Sequence, residues 1–145
     1  MRPVLILAAL ALTITCTATR GESENVEMST IASGSYAVDE SGRKAVLAST
    51  NDDYRRLWSE LIGEGDSPQV DLTNGAVVFL LGGSKPTGGW SIAPKSVTIE
   101  SDGTAVIHAN VEGPPGGSIV TQALTSPYAV VLVQNAKPKR VRWDE

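Results

Sequence analysis

Ala76-Val77-Val78-Phe79-Leu80-Leu81 runs directly into Gly82-Gly83-Ser84-Lys85-Pro86-Thr87-Gly88-Gly89-Trp90, and the reading of this stretch decides the fold. Six consecutive apolar residues bounded by Gly75 and Gly82 leave no polar face, so they read as a strand buried on both sides. The loop that follows holds four glycines and a proline, then a large aromatic where the next strand should begin. A loop with that much backbone specialisation is shaped for contact rather than for simple connection.

Working outward, Tyr128-Ala129-Val130-Val131-Leu132-Val133 is a second wholly apolar run, expected to lie centrally beside 76–81. Further strands are expected at Ile31 to Val38, Lys44 to Ala48, Trp90 to Ile92, Ser96 to Glu100, Thr104 to Val111 and Ile119 to Leu124. Asp39-Glu40-Ser41-Gly42 has the composition of a turn, and Ser101-Asp102-Gly103 that of a tight hairpin. One helix stands out. From Asp52 to Ile62, the residues Tyr54, Leu57, Trp58 and Leu61 recur at i, i+3, i+4 and i+7 as one apolar stripe. Thr50 or Asn51 can cap it, Asp52 and Asp53 suit the positive end of its dipole, and Gly63 stops it. Trp58 is its main anchor to the sheet. The fold class is therefore mainly β (α+β), a compact sheet, sandwich or half-open barrel with one packed amphipathic helix.

The N-terminus reads differently. Met1-Arg2 precedes an apolar stretch of eleven residues, Val4 to Ile14, broken only by Thr13, too short to span a bilayer and the length of a signal-peptide core. Export is expected, to the periplasm or to a lipid anchor at the cell envelope of a bacterium. Cys16, the only cysteine, stands where a lipoprotein signal places its acylated cysteine, but Thr13 and Thr15 occupy positions that usually hold Leu and a small residue. Ordinary cleavage after Ala18 is the alternative. Residues 1–18 are thus a signal peptide of one type or the other, 19–30 a polar spacer carrying Glu22, Glu24 and Glu27, and 31–145 one domain.

With one cysteine the chain forms no internal disulfide, so its stability comes from its core. The 127 residues after position 18 suffice for a domain that buries somewhat over about 60% of its unfolded surface. The 12 basic side chains become 11 when Arg2 leaves with the signal, against 16 acidic ones, a net of −5. Such a domain makes a poor nucleic-acid binder. The basic cluster of Lys137, Lys139, Arg140 and Arg142 reads as a solvated last strand or tail beside Asp144 and Glu145.

Signs of catalysis are few. His108 is the only histidine, and strand alternation sets it with Thr104, Val106 and Asn110, opposite Ala105, Ile107, Ala109 and Val111. A zinc site would need two or three more His or Cys. Gly83 and Gly88 stand at phosphate-loop spacing, but Gly89-Trp90 follows where Lys and Ser or Thr must hold phosphate and magnesium. No enzyme, cofactor or metal is expected.

What remains is a binding surface for a protein partner. Lys85, Pro86, Thr87, Gly88, Gly89 and Trp90 form its first loop. Gly113, Pro114, Pro115, Gly116 and Gly117 form the second, and Ser126, Pro127 and Tyr128 the third. Stiff Pro and permissive Gly together fix a loop's shape, which lowers the entropy lost on binding. Trp90 and Tyr128 supply aromatic contacts.

The order of Pro86-Thr87-Gly88-Gly89-Trp90-Ser91-Ile92, then Gly113-Pro114-Pro115-Gly116-Gly117, then Gln122-Ala123-Leu124-Thr125-Ser126-Pro127-Tyr128 resembles the C-terminal domain family of PrcB, named for a bacterial protease-complex subunit. The resemblance covers roughly Ala76 to Val133, with Trp90 where many members carry Tyr. It implies an exported, often lipid-anchored, non-catalytic accessory or stabilising subunit of an envelope protease. The first loop is also similar to the reactive loop of chagasin-type protease inhibitors, Asn-Pro-Thr-Thr-Gly. Here Lys85 replaces Asn and Gly88 the second Thr, and Ser126-Pro127-Tyr128 only approximates the inhibitors' Arg-Pro-Trp loop. That similarity implies a protease inhibitor as the alternative, and an envelope ligand-binding module is the third.

Overall fold

The two wholly apolar runs pair with each other at the centre of the molecule. In the computed structural model, which describes residues 22–63 and 65–145, they are the strands Gly75–Gly82 and Tyr128–Gln134, antiparallel in a register from Gly75 opposite Gln134 to Leu81 opposite Tyr128. In chain order the strands are β1 (Glu24–Val26), β2 (Met28–Gly34), β3 (Arg43–Ala48), β4 (Gly75–Gly82), β5 (Ser91–Ile99), β6 (Thr104–Glu112), β7 (Tyr128–Gln134) and β8 (Arg140–Asp144). One helix, α1 (Asn51–Leu57), runs on as a π-helical turn over Trp58–Ile62.

Two four-stranded sheets stack as a sandwich, and no barrel closes. One has the order β2-β7-β4-β3, antiparallel throughout. The other has the order β1-β5-β6-β8, with β8 added parallel to β6. Helix α1 covers the outer face of the first sheet, which explains why β4 shows no alternation: every residue of it is buried. Val77, Phe79 and Leu81 face the helix layer, where Tyr54, Trp58 and Phe79 form an aromatic cluster with ring centroids 6.0–6.4 Å apart. Val78 and Leu80 face the second sheet, against Val97, Ile107 and Ala109. The helix starts as its sequence implies. The Asp53 backbone N–H donates to the Thr50 hydroxyl (3.1 Å), and that hydroxyl donates to the Asp53 carboxylate (3.0 Å).

Four expectations are corrected. Residues Glu24–Thr30, read as spacer, contribute β1 and the start of β2, because an edge strand tolerates polar side chains on its solvent side. The two short strands expected at Trp90 to Ile92 and Ser96 to Glu100 are one strand, β5, in which a bulge between Pro94 and Ser96 absorbs the proline that interrupts the pattern. The hairpin at Ser101-Asp102-Gly103 forms, but with Gly103 alone at positive φ. Ile119 to Leu124 is not a strand. The crossover is bonded instead to the 85–88 turn, through Gly88–Thr121 and the Lys85–Thr125 bridge, and joins neither sheet.

The C-terminal basic residues lie on or beside β8, as expected. Arg140 pairs with Asp102 (2.7 Å), and Arg142 with Glu100 (3.2 Å) and Asp144 (3.3 Å). Trp143, which the sequence reading left unplaced, donates its indole N–H to the Ala109 carbonyl (2.7 Å) under the Arg43 guanidinium, 4.4 Å from the ring centroid.

Candidate functional site

The loops of residues 83–90 and 113–127 meet at one end of the sandwich. They are laced together by main-chain bonds rather than by a shared core. Lys85 and Thr125 exchange two backbone hydrogen bonds (2.7 and 3.0 Å), and the Gly88 N–H donates to the Thr121 carbonyl (2.8 Å). The Thr125 hydroxyl donates to the Thr87 carbonyl (2.7 Å). Thr87 in turn accepts from the Trp90 indole N–H (3.3 Å) and donates to the Gly88 carbonyl (3.1 Å).

Two glycines make this approach sterically possible. A β-carbon at Gly89, whose φ is +83°, would lie 2.9 Å from the Pro114 side chain. One at Gly113 would lie 3.1 Å from the Trp90 ring. Trp90 therefore rests on the backbone of the second loop, half-buried, and joins the two loops rather than projecting from them.

The third stretch has another role. Ser126 is 1% exposed and Pro127 is fully buried, which corrects the expectation that they present themselves to a partner. The Ser126 hydroxyl donates to the Ala37 carbonyl (2.7 Å), and its main chain bonds Ser35 (2.7 Å) and Ala37 (2.9 Å). The Pro127 carbonyl accepts from the Gly82 N–H (2.8 Å). These bonds satisfy groups that burial would otherwise strand. Tyr128 is half-buried, its ring over Gly34. Gly88 is buried against Thr121. Pro86, Gly89, Gly113, Pro115, Gly116 and Gly117 are exposed, while Lys85, Thr87 and Pro114 are half-exposed.

The sequence reading missed the residues with the most apolar surface in water. Ile119 is 104% exposed, Leu124 67%, Tyr36 66% and Val38 62%. Tyr36 is bridged to Ser126, which ties it to the same end of the molecule as Leu124. The signal was available as large apolar residues beside the glycine loops, but the expected strand at Ile119 to Leu124 assigned two of them to a sheet.

The charge at this end is sparse. Residues 113–136 carry no charged side chain, and Lys85 is the single charge between Leu72 and Pro94. Its ammonium lies 5.1 Å from the Trp90 ring centroid, a cation–π distance. Lys85 makes no ion pair among the described residues, whereas Lys95 and Glu112, at the base of the loops, pair at 3.6 Å. His108 lies on the outer face of the second sheet, in register with Ser96 on one side and Asp144 on the other. Among the described residues no cluster of three or more His, Cys, Asp or Glu is disposed to hold a metal. Cys16 and the apolar run before it lie outside the described residues.

The stretch that contains β4, both glycine loops and β7 is also the stretch with known relatives. Residues 76–134 match the PrcB C-terminal family. The PrcB C-terminal match begins at the first residue of the central apolar run and ends with the last of β7. It leaves α1, the first three strands and β8 outside. No curated protein and no solved structure matches the chain significantly.

Proposed function

We propose that this domain is a non-catalytic accessory or stabilising subunit that binds a protease through the loop end of its sandwich. The observation that carries the reading is the exposure of Ile119 and Leu124 on a crossover that is pinned at Thr121 and Thr125. Large apolar side chains held in water by a fixed backbone are the arrangement of interface anchors, since little ordering remains to be done on binding. The PrcB C-terminal match spans this crossover and supports a protease as partner. The apolar run from Val4 to Ile14 supports export and, with it, an encounter in the bacterial envelope, with Cys16 as lipid anchor or with free release after Ala18.

The test is a crosslinked pull-down from the native envelope with the wild type and with an Ile119→Asp, Leu124→Asp double variant. A protease recovered with the wild type, at a yield the double variant lowers by about 100-fold, is the expected result. Recovery of the same proteins by both removes the loop end as the interface. A turnover assay on the recovered protease then separates the roles. A stabilising subunit prolongs the protease's lifetime and leaves peptide hydrolysis unchanged, whereas an inhibitor of the chagasin type lowers hydrolysis.

A further inference from the structure

Among the described residues, β2 is the one outer strand of the two sheets with neither a charged side chain nor a proline. The strand β1 ends after three residues and holds Glu24, β3 carries Arg43 and Lys44, and β8 carries Arg140, Arg142 and Asp144. Shortness and charge keep a sheet edge from pairing with another chain, and β2 has only the bulge between Thr30 and Ala32 to the same end. The direction of its main-chain groups follows from its ladder with β7. The Gln134 N–H donates to the Glu27 carbonyl (2.9 Å), so the next pair, Met28 opposite Val133, is not bonded. Alternation then turns the N–H and C=O groups of Met28 and Thr30 away from β7. Beyond the bulge, the Gly82 N–H donates to the Pro127 carbonyl (2.8 Å), which turns Pro127 towards β4 and Tyr128 towards β2. Gly34 is therefore bonded to Tyr128, and Ser33, opposite Ala129, points outward. Thr30 and Ser33 are exposed, and among the described residues Met28, Thr30 and Ser33 make no main-chain bond to a turn or loop.

From this we propose that the outer edge of β2 takes an extended segment of a partner polypeptide as a fifth strand of the β2-β7-β4-β3 sheet, uncharged along its length and with one Lys or Arg at the end beside Glu27. This rests on the partner-binding reading above and adds a second contact of defined form. A strand edge with unpaired donors and acceptors is the template for strand addition, in which main-chain bonds supply affinity and alternate side chains supply specificity. The edge leads into the loop end. Ser35 and Ala37 both bond the main chain of Ser126, on either side of the exposed Tyr36, so a segment laid along β2 continues onto the apolar surface there. Charge selects the occupant. Met28 to Val38 holds no charged residue, so a charge in the middle of the segment gains no partner. At the far end Asp39 is already paired with Lys44. At the near end Glu27 is exposed and makes no ion pair among the described residues, and a single Lys or Arg complements it.

The test is a displayed library of short random peptides selected on the full chain, tagged after Glu145 and held in detergent. Enriched peptides are expected to be uncharged except for one Lys or Arg near an end. N-methylation of one alternate set of their amides should weaken binding about tenfold, and of the other set less than about twofold, because a strand added at an edge turns every second N–H to solvent. On the protein side, Ser33→Pro removes an outward N–H, a change that an edge strand tolerates, and should weaken binding about tenfold. Ser33→Ala keeps that N–H and should change binding less than about twofold. Glu27→Lys should exchange the selected Lys or Arg for Asp or Glu. An unchanged unfolding midpoint excludes misfolding of the Pro variant, and the N-methyl arm needs no protein variant at all. Absence of enriched peptides, equal effects of the two N-methylated sets, or equal behaviour of the Pro and Ala variants overturns the proposal. A dimer of the chain that Ser33→Pro dissociates also overturns it, by giving the edge to a second copy. In each of those cases a protease whose recovery in the envelope pull-down depends on Ile119 and Leu124 keeps the loop end as an interface, so the two failures are distinguishable.

Discussion

Between Leu81 and Lys85 the molecule changes its means of holding together. Up to Leu81, β4 is a regular strand buried on both faces, paired on both edges, and stabilised by apolar area that no single contact dominates. From Lys85 onward the chain is irregular, half in water, and fixed by a handful of named bonds to residues 33 to 40 positions away. The first kind of structure is insensitive to the identity of any one polar group and sensitive to volume. The second is the reverse. A rigid sheet with strong area-driven stability can thus carry a loop end whose shape serves recognition.

Substitutions in the two regions should separate these behaviours. Phe79→Ala opens a cavity beneath Tyr54 and Trp58 and should cost about 3–5 kcal/mol in denaturant unfolding, the largest effect expected. At the boundary, Gly34→Ala drives a methyl to within 2.7 Å of the Tyr128 ring and should cost about 1–3 kcal/mol. In a Tyr128→Ala background that cost should shrink by about 1 kcal/mol, a coupling that a double-mutant cycle measures. Equal costs in both backgrounds would break the assigned contact. Ser126→Ala removes the donor to the buried Ala37 carbonyl and should cost about 1–2 kcal/mol, although it changes almost no apolar area.

Smaller still is the contribution of Asp39, at the turn before β3. The Lys44 ammonium, followed by the Ser41 hydroxyl and N–H, holds its carboxyl down at about 2 against the ordinary 3.8. A depressed carboxylate contributes stability that is present above the ordinary value and lost as pH falls through about 2. Solvent screening at this partly exposed pair limits the amount to about 1 kcal/mol. The stability difference between wild type and Asp39→Asn should therefore be flat above about pH 5 and vanish towards pH 2. At the bottom of the scale, Ile119→Asp should shift stability by less than about 0.5 kcal/mol, since the side chain touches water on all sides. If it destabilises by several times that amount, Ile119 is packed and the contrast between the regions fails.

Much of the fold was legible because its signals are local. The Tyr54-Leu57-Trp58-Leu61 stripe, the Thr50 cap and the two unalternating strands each declare their burial within a few residues, and each lies where its pattern implied. The position of the two glycine loops was legible for the same reason. Their roles were only half so. Ser126-Pro127 has the composition of an exposed turn, but its burial depends on Ser35 and Ala37, nearly a hundred positions earlier. Trp90 reads as a presented aromatic, yet Gly113 allows it to lie down against the second loop.

By itself the sequence determined the central β4–β7 pair, the capped helix over it, and a glycine-rich end beside them, because apolar periodicity and φ preference are properties of neighbouring residues. Only the tertiary structure decided that Glu24–Val26 is an edge strand, that Trp143 closes onto Ala109, and that Ile119–Leu124 is left without a ladder. Strand propensity becomes a strand only where the tertiary fold brings a partner strand alongside. Here the crossover is brought alongside the 85–88 turn, which gives it isolated bonds at Thr121 and Thr125 and leaves Ile119 and Leu124 in water.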